Sequence, residues 1–416
     1  MTRGGAIGAA AAAIAAAAIA ACQPRVDPGP PTLRWYVADE RSGAFAAIAA
    51  ACSRDAAGAY AIRIAPLPAD ADQQREQLAR RLAARDRDID LIGMDVIWTA
   101  EFAAAGWILP LEGAVAQAAR ADRLAAPLAS ASWQGRLWGV PFTSNAQLLW
   151  YRRDRVAAAP RTWDEMIAMA ESLGELGTIQ VQGERYEGLT VLFVSLLASA
   201  GGSVLEADGA SVALPPGPTA RALAVMRRLA TSPAADRALA NAREDQARIG
   251  FESGGSSFMI NYSFVWPSAQ RNVPQWADRI GWARWPAVVD GVPSRVAVGG
   301  YNLGVSAFSR WPQQAMDAAA CIGAPQHQRL AAVQAGLPPT IAALYDDPQL
   351  RAQFPFADVL RDTLRDAVQR PQTPLYNDVS LAIARTLHPM RDIDPQRDDA
   401  RLRGALQRAL RSEGLL

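Results

Sequence analysis

Side chains that could carry out nucleophilic or metal chemistry are scarce in this sequence of 416 residues. The chain contains no lysine, and its two histidines, His327 and His388, lie far apart. A P-loop and a Schiff base both require lysine, and a zinc site or a Ser-His-Asp triad draws on histidine. The composition therefore excludes the first two kinds of site and gives little support to the others. We expect no metal and no organic cofactor.

Cys22 offers a different chemistry. It follows an apolar run of Ala, Ile and Gly that has one charge, Arg3, and it precedes a Pro-rich stretch. This pattern is typical of a secretory signal, and Cys at the first mature position resembles the bacterial lipobox. We expect 1–21 to be a lipoprotein signal peptide and 22–31 a lipidated tether on the outer face of the plasma membrane. The alternative is an uncleaved transmembrane helix, because the run is just long enough to span a bilayer.

The other two cysteines are Cys52 and Cys321. An even pair in an exported protein usually forms a disulfide, and closing so long a loop is worth about 5 kcal/mol by chain entropy. The alternative is two buried free thiols that behave as small hydrophobic groups. A disulfide would place the helix that ends at Cys52 and a helix near residue 320 in one lobe.

Charge and length restrict the function further. The 42 basic and 41 acidic residues are balanced, so the surface predicts no nucleic-acid partner and no electrostatic attachment to a membrane. The length that remains after the signal is sufficient for two domains.

The patterns before residue 106 alternate between strand and helix. Strands are predicted at 33–38, 61–65 and 89–93, and helices at 44–53, 71–84 and 96–105. This order predicts a doubly wound α/β lobe.

A second set of elements follows Pro141. It comprises strands at 147–151 and 257–261, a helix opened by the capping box Thr162 to Glu165, an apolar helix at 187–200, two strand halves around Gly299-Gly300, and helices from 312 onward. We expect an α/β fold of two doubly wound lobes joined by a hinge, with discontinuous domains and a helical C-terminus. The predicted boundaries are 32–145 with 293–337 for the N-terminal lobe and 146–292 with 338–416 for the C-terminal lobe. Ligands bind preferentially in clefts between such lobes.

Several motifs resemble the family 1 extracellular solute-binding proteins of ABC importers, and within that family its trehalose-binding lipoproteins. The motifs are the lipobox, Asp95-Val-Ile-Trp-Thr-Ala-Glu-Phe, Asn145-Ala-Gln-Leu-Leu-Trp-Tyr-Arg, Trp163-Asp-Glu-Met, Phe251-Glu-Ser-Gly, Gly299-Gly-Tyr-Asn-Leu and Arg370-Pro-Gln-Thr-Pro-Leu-Tyr. The resemblance covers essentially the whole mature chain, and both Cys52 and Cys321 match cysteines of the trehalose binders. It implies a type II periplasmic-binding-protein-like fold and a monomer that passes a sugar to permease subunits.

The resemblance also implies a set of ligand-binding residues. They are Asp95, Asn145, Glu244, Arg370, Gln74, Tyr262, Gly299, Gly300 and Tyr301, with Asp39 or Glu40 in the loop after the first strand. Carboxylates and amides accept hydroxyl hydrogen bonds, Arg donates them, and aromatic rings stack on sugar faces.

Most of these residues also have an ordinary structural interpretation. Asp95 could be a helix N-cap, Asn145 a hinge-turn residue, and Glu244 an N-terminal helix charge. Arg370 could be a surface residue, and Gly299-Gly300 a bulge between strands.

Two residues differ from the trehalose-binding pattern. Tyr262 stands where those proteins have Trp, and Tyr301 where they have Leu. The resemblance therefore predicts a receptor for trehalose or a related disaccharide and no enzymatic activity. The alternatives are an exported glycoside hydrolase, since two carboxylates are the minimum for that reaction, or a binder of another sugar.

Overall fold

The computed structural model describes residues 29–68 and 70–413. The predicted signal peptide 1–21, Cys22 and most of the tether lie outside the described residues. Among the helices that the structure describes, none combines the length and the apolar character needed to cross a bilayer.

Eleven strands and sixteen α-helices make up the described chain. The strands are β1 (Thr32–Ala38), β2 (Ala61–Leu67), β3 (Leu91–Asp95), β4 (Ser132–Trp133), β5 (Arg136–Leu137), β6 (Val140–Asn145), β7 (Leu148–Arg152), β8 (Thr178–Gln180), β9 (Ser256–Asn261), β10 (Ile280–Ala283) and β11 (Gly299–Val305). The helices are α1 (Ala44–Asp55), α2 (Ala71–Ala83), α3 (Thr99–Ala104), α4 (Gly113–Arg120), α5 (Ala125–Ser130), α6 (Trp163–Ser172), α7 (Glu187–Ser199), α8 (Pro216–Thr231), α9 (Glu244–Glu252), α10 (Val265–Asn272), α11 (Pro312–Ile322), α12 (Pro325–Ala335), α13 (Pro348–Gln353), α14 (Ala357–Asp366), α15 (Tyr376–Leu387) and α16 (Arg397–Leu410).

The first lobe is built on a five-stranded sheet in the order β2-β1-β3-β11-β6. β1 pairs in parallel with β2 and β3, and β11 is antiparallel to β3 and β6. Trp35 and Val37 of β1 pack into one core, whereas Tyr36 packs into a second core on the opposite face. Helices therefore cover both faces, as expected where apolar side chains alternate on a buried sheet.

The second lobe contains a four-stranded sheet in the order β10-β7-β9-β8. β7 is antiparallel to β9 and β10, and β8 is parallel to β9. One large core includes Trp150 of β7 and Phe193 of α7. α7 is buried along nearly its whole length, which explains why it has no charged residue after Glu187.

The chain passes between the sheets where β6 ends at Asn145 and β7 begins at Leu148. Only the second of the two predicted strand halves joins a sheet, since β11 begins at Gly299. The first half instead forms an isolated bridge in which Ala297 pairs with Val368. Val368 belongs to the segment that leads to Arg370 in the cleft.

A disulfide joins Cys52 of α1 to Cys321 of α11, with their Cα atoms 5.9 Å apart. Both helices pack on the first sheet. Nδ1 of His327 lies 2.7 Å from the carbonyl oxygen of Cys321 and 3.5 Å from Sγ of Cys52. Because both thiols are in the disulfide, this group of metal-ligand types has no thiolate to offer.

Candidate functional site

A cleft of about 790 Å³ separates the two lobes. Its walls include Asp95, Thr143 and Asn145 at the ends of β3 and β6, and Glu187 and Glu244 at the first positions of α7 and α9. The strand ends and helix starts of two α/β lobes thus meet across one cavity, which is the usual position of a ligand site in such folds.

One end of the cleft is organised around the guanidinium group of Arg370. Nη2 donates to Asp95 Oδ1 at 3.1 Å, and Nη1 donates to Glu187 Oε1 at 2.8 Å. The carboxylate of Glu187 also accepts hydrogen bonds from the hydroxyl groups of Tyr376 and Ser380. We call these five residues the Arg370 cluster.

Charge pairing holds the Arg370 cluster together in a buried position. Only 6% of the Arg370 side chain is exposed. Burial opposes its charge, but Asp95, Tyr376 and Glu187 outweigh that effect and raise the pKa of Arg370. Its Nε is buried and has no hydrogen-bond partner among the described residues. A buried donor without a partner has a strong requirement for an acceptor.

Asp95 caps a helical turn and also lines the cleft. Its Oδ1 accepts the backbone N–H of Ile97 at 3.1 Å, which caps the 3₁₀ turn before α3. The same carboxylate pairs with Arg370 and lines the cleft.

The cleft contains a further carboxylate in a different environment. Glu244 faces the hydroxyl group of Tyr186, and Tyr262 lies beside them. Burial raises the pKa of Glu244, and no arginine of the described part of the chain forms an ion pair with it. Arg243 instead pairs with Glu184 at 2.7 Å and stacks over the ring of Tyr186. We call Glu244, Tyr186, Tyr262 and Arg243 the Glu244 cluster.

β11 and β6 form another part of the cleft wall. Gly300 has φ +126°, and a Cβ atom there would lie 2.2 Å from the carbonyl oxygen of Thr143, so only glycine fits. Tyr301 pairs with Asp95 of β3 and with Thr143 of β6, and the register with β6 shifts between Tyr301 and Asn302. Burial, followed by the Asp95 charge, raises the pKa of Tyr301 to about 12. Oδ1 of Asn145 is buried without a partner among the described residues.

The cleft is rich in acceptors and aromatic faces. It is lined by six carboxylates, Asp70, Asp72, Asp95, Glu187, Glu244 and Asp245, by two arginines, Arg243 and Arg370, and by four aromatic rings, Tyr186, Tyr262, Phe264 and Tyr301. This excess of acidic groups is unfavourable for an anionic ligand. It suits a neutral molecule with many hydroxyl groups, each of which can donate and accept.

The family model described as "Bacterial extracellular solute-binding protein" matches residues 56–329. This chain belongs to that family.

Known relatives of this solute-binding protein agree with the assignment. It is 29% identical over 345 residues to a protein of Deinococcus radiodurans described as "Probable ABC transporter-binding protein", an alignment that covers 79% of this chain and 81% of the relative. Among solved structures it is similar to maltose-bound T. maritima MalE3, with 26% identity and a TM-score of 0.80 over 90% of this chain and 99% of that chain. The GacH receptor of Streptomyces glaucescens, solved unliganded and with acarbose, has a TM-score of 0.79 at 19% identity over 92% of this chain and 100% of that chain. The predicted two-lobed, type II fold is confirmed.

The predicted ligand-binding residues fall into two groups in the structure. Eight line the cleft, namely Asp95, Asn145, Glu244, Tyr262, Gly299, Gly300, Tyr301 and Arg370. Three lie outside its lining. Gln74 is buried, and its Nε2 donates to the carbonyl oxygen of Pro68. Glu40 accepts backbone N–H groups of Ser42 and Phe45 at the start of α1, and Asp39 lies 3.6 Å from Arg41 on the surface.

Sequence reasoning missed several residues of the cleft. Glu187 was identified only as the start of a helix, yet it links Arg370 to α15. One signal was available: an acidic residue at the first position of a helix that has no other charged residue must find a cation or several hydrogen-bond donors when buried. Tyr186 and Arg243 each stand directly before the first residue of a helix and gave no such signal.

Proposed function

We propose that this solute-binding protein captures trehalose or a closely related α-linked disaccharide in its cleft and delivers it to the permease subunits of an ABC importer. The observation that carries the proposal is the composition of the cleft: Asn145 Oδ1 and Arg370 Nε, which have no partner within the described part of the chain, an excess of carboxylates, and aromatic faces. Each hydroxyl group of a disaccharide can meet one of these groups.

The choice of trehalose rests on the motif resemblance to the mycobacterial trehalose-binding lipoprotein LpqY. Asp95, Asn145, Glu244 and Arg370 match its motifs and all line the cleft. Tyr262 and Tyr301 depart from it, and each contributes a hydroxyl group beside a carboxylate. We therefore propose a disaccharide with α-linked glucose units and expect the two tyrosines to tune which one binds best.

In this proposal each lobe supplies half of the site. Asp95, Asn145 and Tyr301 bind from the first sheet, and Glu244 and Tyr262 bind from the second lobe. Closing the lobes then removes the sugar from water, which strengthens every polar contact that it makes. The protein acts as a monomer that shuttles between sugar capture and contact with the permease.

The lipid on Cys22 is the second part of the proposal. A receptor tethered by a short Pro-rich segment reaches the permease at high effective concentration. Mass spectrometry of the mature protein from membranes should find a diacylated Cys22 at the N-terminus, and a Cys22→Ala variant should be released. Recovery of unmodified Cys22 in membranes would contradict the lipid anchor.

A titration panel tests the ligand. Isothermal titration calorimetry with trehalose, maltose, sucrose and glucose should show the tightest binding for an α-linked disaccharide, with glucose much weaker. Absence of binding by all three disaccharides would refute the proposed function.

One observation also fits the glycoside hydrolase alternative: the pKa of Glu244 is raised, and Asp95 is paired with a cation in the same cleft. The two functions differ in a simple assay. We expect no glucose when the purified protein is incubated with trehalose or maltose for hours, and release of glucose that Glu244→Gln abolishes would establish the hydrolase instead.

A further inference from the structure

A cavity of about 270 Å³ lies on the first lobe, separate from the cleft. It is bordered by the end of α4 and the loop that follows, by the first residue of β6, by the end of α11 and by the start of α12. Among the described residues, none lines both this cavity and the cleft. We call it the Arg123 cavity, and a ligand bound there leaves the sugar site free.

The walls of the Arg123 cavity are mainly apolar. Eight of its eleven lining residues are alanine, valine, isoleucine or proline. The other three are Asp122, Arg123 and Gly323. The loop after α4 is held in place by an antiparallel bridge between Arg123 and Ile341. The cavity therefore offers an apolar surface with few polar groups, which is the usual composition of a small-molecule site.

Arg123 is a partly buried cation that forms no ion pair within the described part of the chain. Its Nη2 donates to the carbonyl oxygen of Gly323 at 2.8 Å, and that oxygen also accepts from Nε2 of Gln328 at 3.0 Å. Nε is buried, and neither Nε nor Nη1 has a hydrogen-bond partner among the described residues. Burial lowers the pKa of Arg123 to about 10, against the charge of Asp122, so the group stays charged at neutral pH.

The contact with Gly323 also gives Arg123 an ordinary structural role. Gly323 follows the last residue of α11, and a cation is favourable at the C-terminus of a helix. That role engages one of the five N–H groups of the guanidinium. Both N–H groups of Nη1 and the second one of Nη2 remain, and together they form a fork that can hold the two oxygens of a carboxylate. A cation removed from water gains more from an anion than from one shared neutral oxygen.

Two neighbouring features modify this preference in opposite directions. Asp122 lies on the same wall, and its negative charge weakens the attraction for an anion. The Asp122 side chain is exposed and forms no ion pair with Arg123, so water screens much of its effect. Ala324 and Pro325 bring the start of α12 to the cavity, and the first turn of that helix contains no acidic residue. The positive end of the helix therefore favours an anion.

The volume of the cavity limits the size of the ligand. Because a cavity of about 150 Å³ can hold benzene, 270 Å³ accommodates a six-membered ring with a short chain. We propose that the Arg123 cavity is a second ligand site, which binds a small monocarboxylic acid with a compact aryl or branched alkyl body. The carboxylate pairs with the guanidinium group of Arg123, and the body packs against the alanine, valine and isoleucine side chains. This site is independent of the proposed sugar site, because the two cavities share no lining residue.

Calorimetric titration of the mature protein with phenylacetate tests this inference. Phenylacetamide has the same ring without the charge, and acetate has the charge without the ring. We expect one phenylacetate to bind per protein molecule, and at least tenfold weaker binding of both comparison compounds. No binding of phenylacetate at millimolar concentration, or equal binding of either comparison compound, would overturn the inference.

Three charge variants locate the carboxylate. Arg123→Gln removes the charge but keeps a donor for the Gly323 carbonyl, and should weaken phenylacetate binding at least tenfold. Asp122→Asn removes the opposing charge at a backbone φ of +55° that asparagine tolerates, and should tighten binding about threefold. Arg120→Gln, at an exposed arginine of α4 that does not line the cavity, is the matched control and should leave the affinity unchanged.

A fourth variant locates the apolar body without touching the charge. Ala320→Leu adds bulk to the cavity wall from α11 and should also weaken phenylacetate binding at least tenfold. This variant keeps the test decisive if Arg123→Gln does not fold, which thermal melts would show. Phenylacetate binding that neither Arg123→Gln nor Ala320→Leu weakens would place the ligand elsewhere and overturn the inference.

Sugar titrations of the same samples separate the two proposals. All four variants should bind disaccharide as the natural protein does, because their side chains do not line the cleft. If phenylacetate binds as expected and no disaccharide binds, the proposed function fails and the carboxylate site stands. If a disaccharide binds and phenylacetate does not, or if the two compete for one site, the carboxylate site is wrong and the proposed function stands.

Discussion

The two clusters of the cleft handle buried carboxylates in opposite ways. In the Arg370 cluster, Asp95 and Glu187 share one guanidinium group and both pair with it directly. In the Glu244 cluster the nearest arginine, Arg243, is engaged by Glu184. Burial therefore dominates at Glu244 and raises its pKa.

This difference indicates that the two clusters contribute differently to folding and to ligand binding. A cation between two carboxylates fixes their positions before a ligand arrives, so the Arg370 cluster is preorganised and contributes to the stability of the folded protein. A buried carboxyl group without an ion pair is destabilising until hydroxyl groups approach it. We therefore expect the Arg370 cluster to affect both folding and binding, and the Glu244 cluster to affect mainly binding.

The largest effect is expected for Arg370→Ala. It leaves Asp95 and Glu187 partly buried without their cation, which costs about 3–5 kcal/mol of folding free energy. We expect a large fall in melting temperature and at least a hundredfold loss of sugar affinity. Arg370→Lys retains the charge but not the forked geometry and should recover only part of each. A variant with normal stability and affinity would show that the cluster is not preorganised.

Gly300→Ala should have the second largest effect. The added Cβ meets the Thr143 carbonyl in a backbone conformation that disfavours side chains, at a cost of about 2 kcal/mol. Gly299→Ala is the matched control, since its Cβ would have 3.7 Å to the nearest atom. Chemical denaturation should show a lower free energy of unfolding for Gly300→Ala and little change in it for Gly299→Ala. Equal losses would mean that general glycine replacement, not the close approach, is responsible.

Glu244→Ala should weaken sugar binding about tenfold through loss of a hydrogen-bonding carboxyl group, and should leave folding stability nearly unchanged or improved. Glu244→Gln keeps an acceptor and should bind better than the alanine variant. Calorimetry and denaturation of the same samples test both statements. Full affinity in Glu244→Ala would exclude this residue from the site.

The smallest effect is a pH dependence of stability. The unfolded chain ionises Glu244 near the ordinary pKa of 4.5, whereas the folded protein holds its proton to higher pH. The stability that this group contributes is fully present below pH 4.5 and is lost as pH rises through the folded pKa. Glu244→Gln lacks this loss, so its melting temperature relative to the natural protein should rise between pH 4 and neutral pH. A difference that stays constant, or that grows towards acid pH, would contradict the assignment.

Much of the first lobe was predictable because its signals are local. The alternation in β1 and β2, the apolar run of β3 and the helices between them all follow from residues a few positions apart. Thr162 was predicted to open α6, and its hydroxyl group accepts the backbone N–H of Glu165. The prediction of a strand half before Gly299 was wrong, because this segment pairs with Val368, which is distant in the sequence and does not belong to a sheet.

The cleft was predictable only in part. Asp95 and Arg370 are 275 positions apart, and Arg370 and Glu187 are 183 apart, so no periodicity links them. Motif resemblance supplied the first pair and not Glu187. Glu40 looked available for a ligand, but the helix start beside it engages its carboxylate.

The sequence by itself determined the class of the protein: its alternating elements specify α/β lobes, its lack of lysine excludes a P-loop and a Schiff-base site, and its motifs identify the family. The tertiary structure decided which carboxylates are paired and which are only buried. Hydrogen bonding and desolvation depend on distances of a few ångströms between segments hundreds of residues apart.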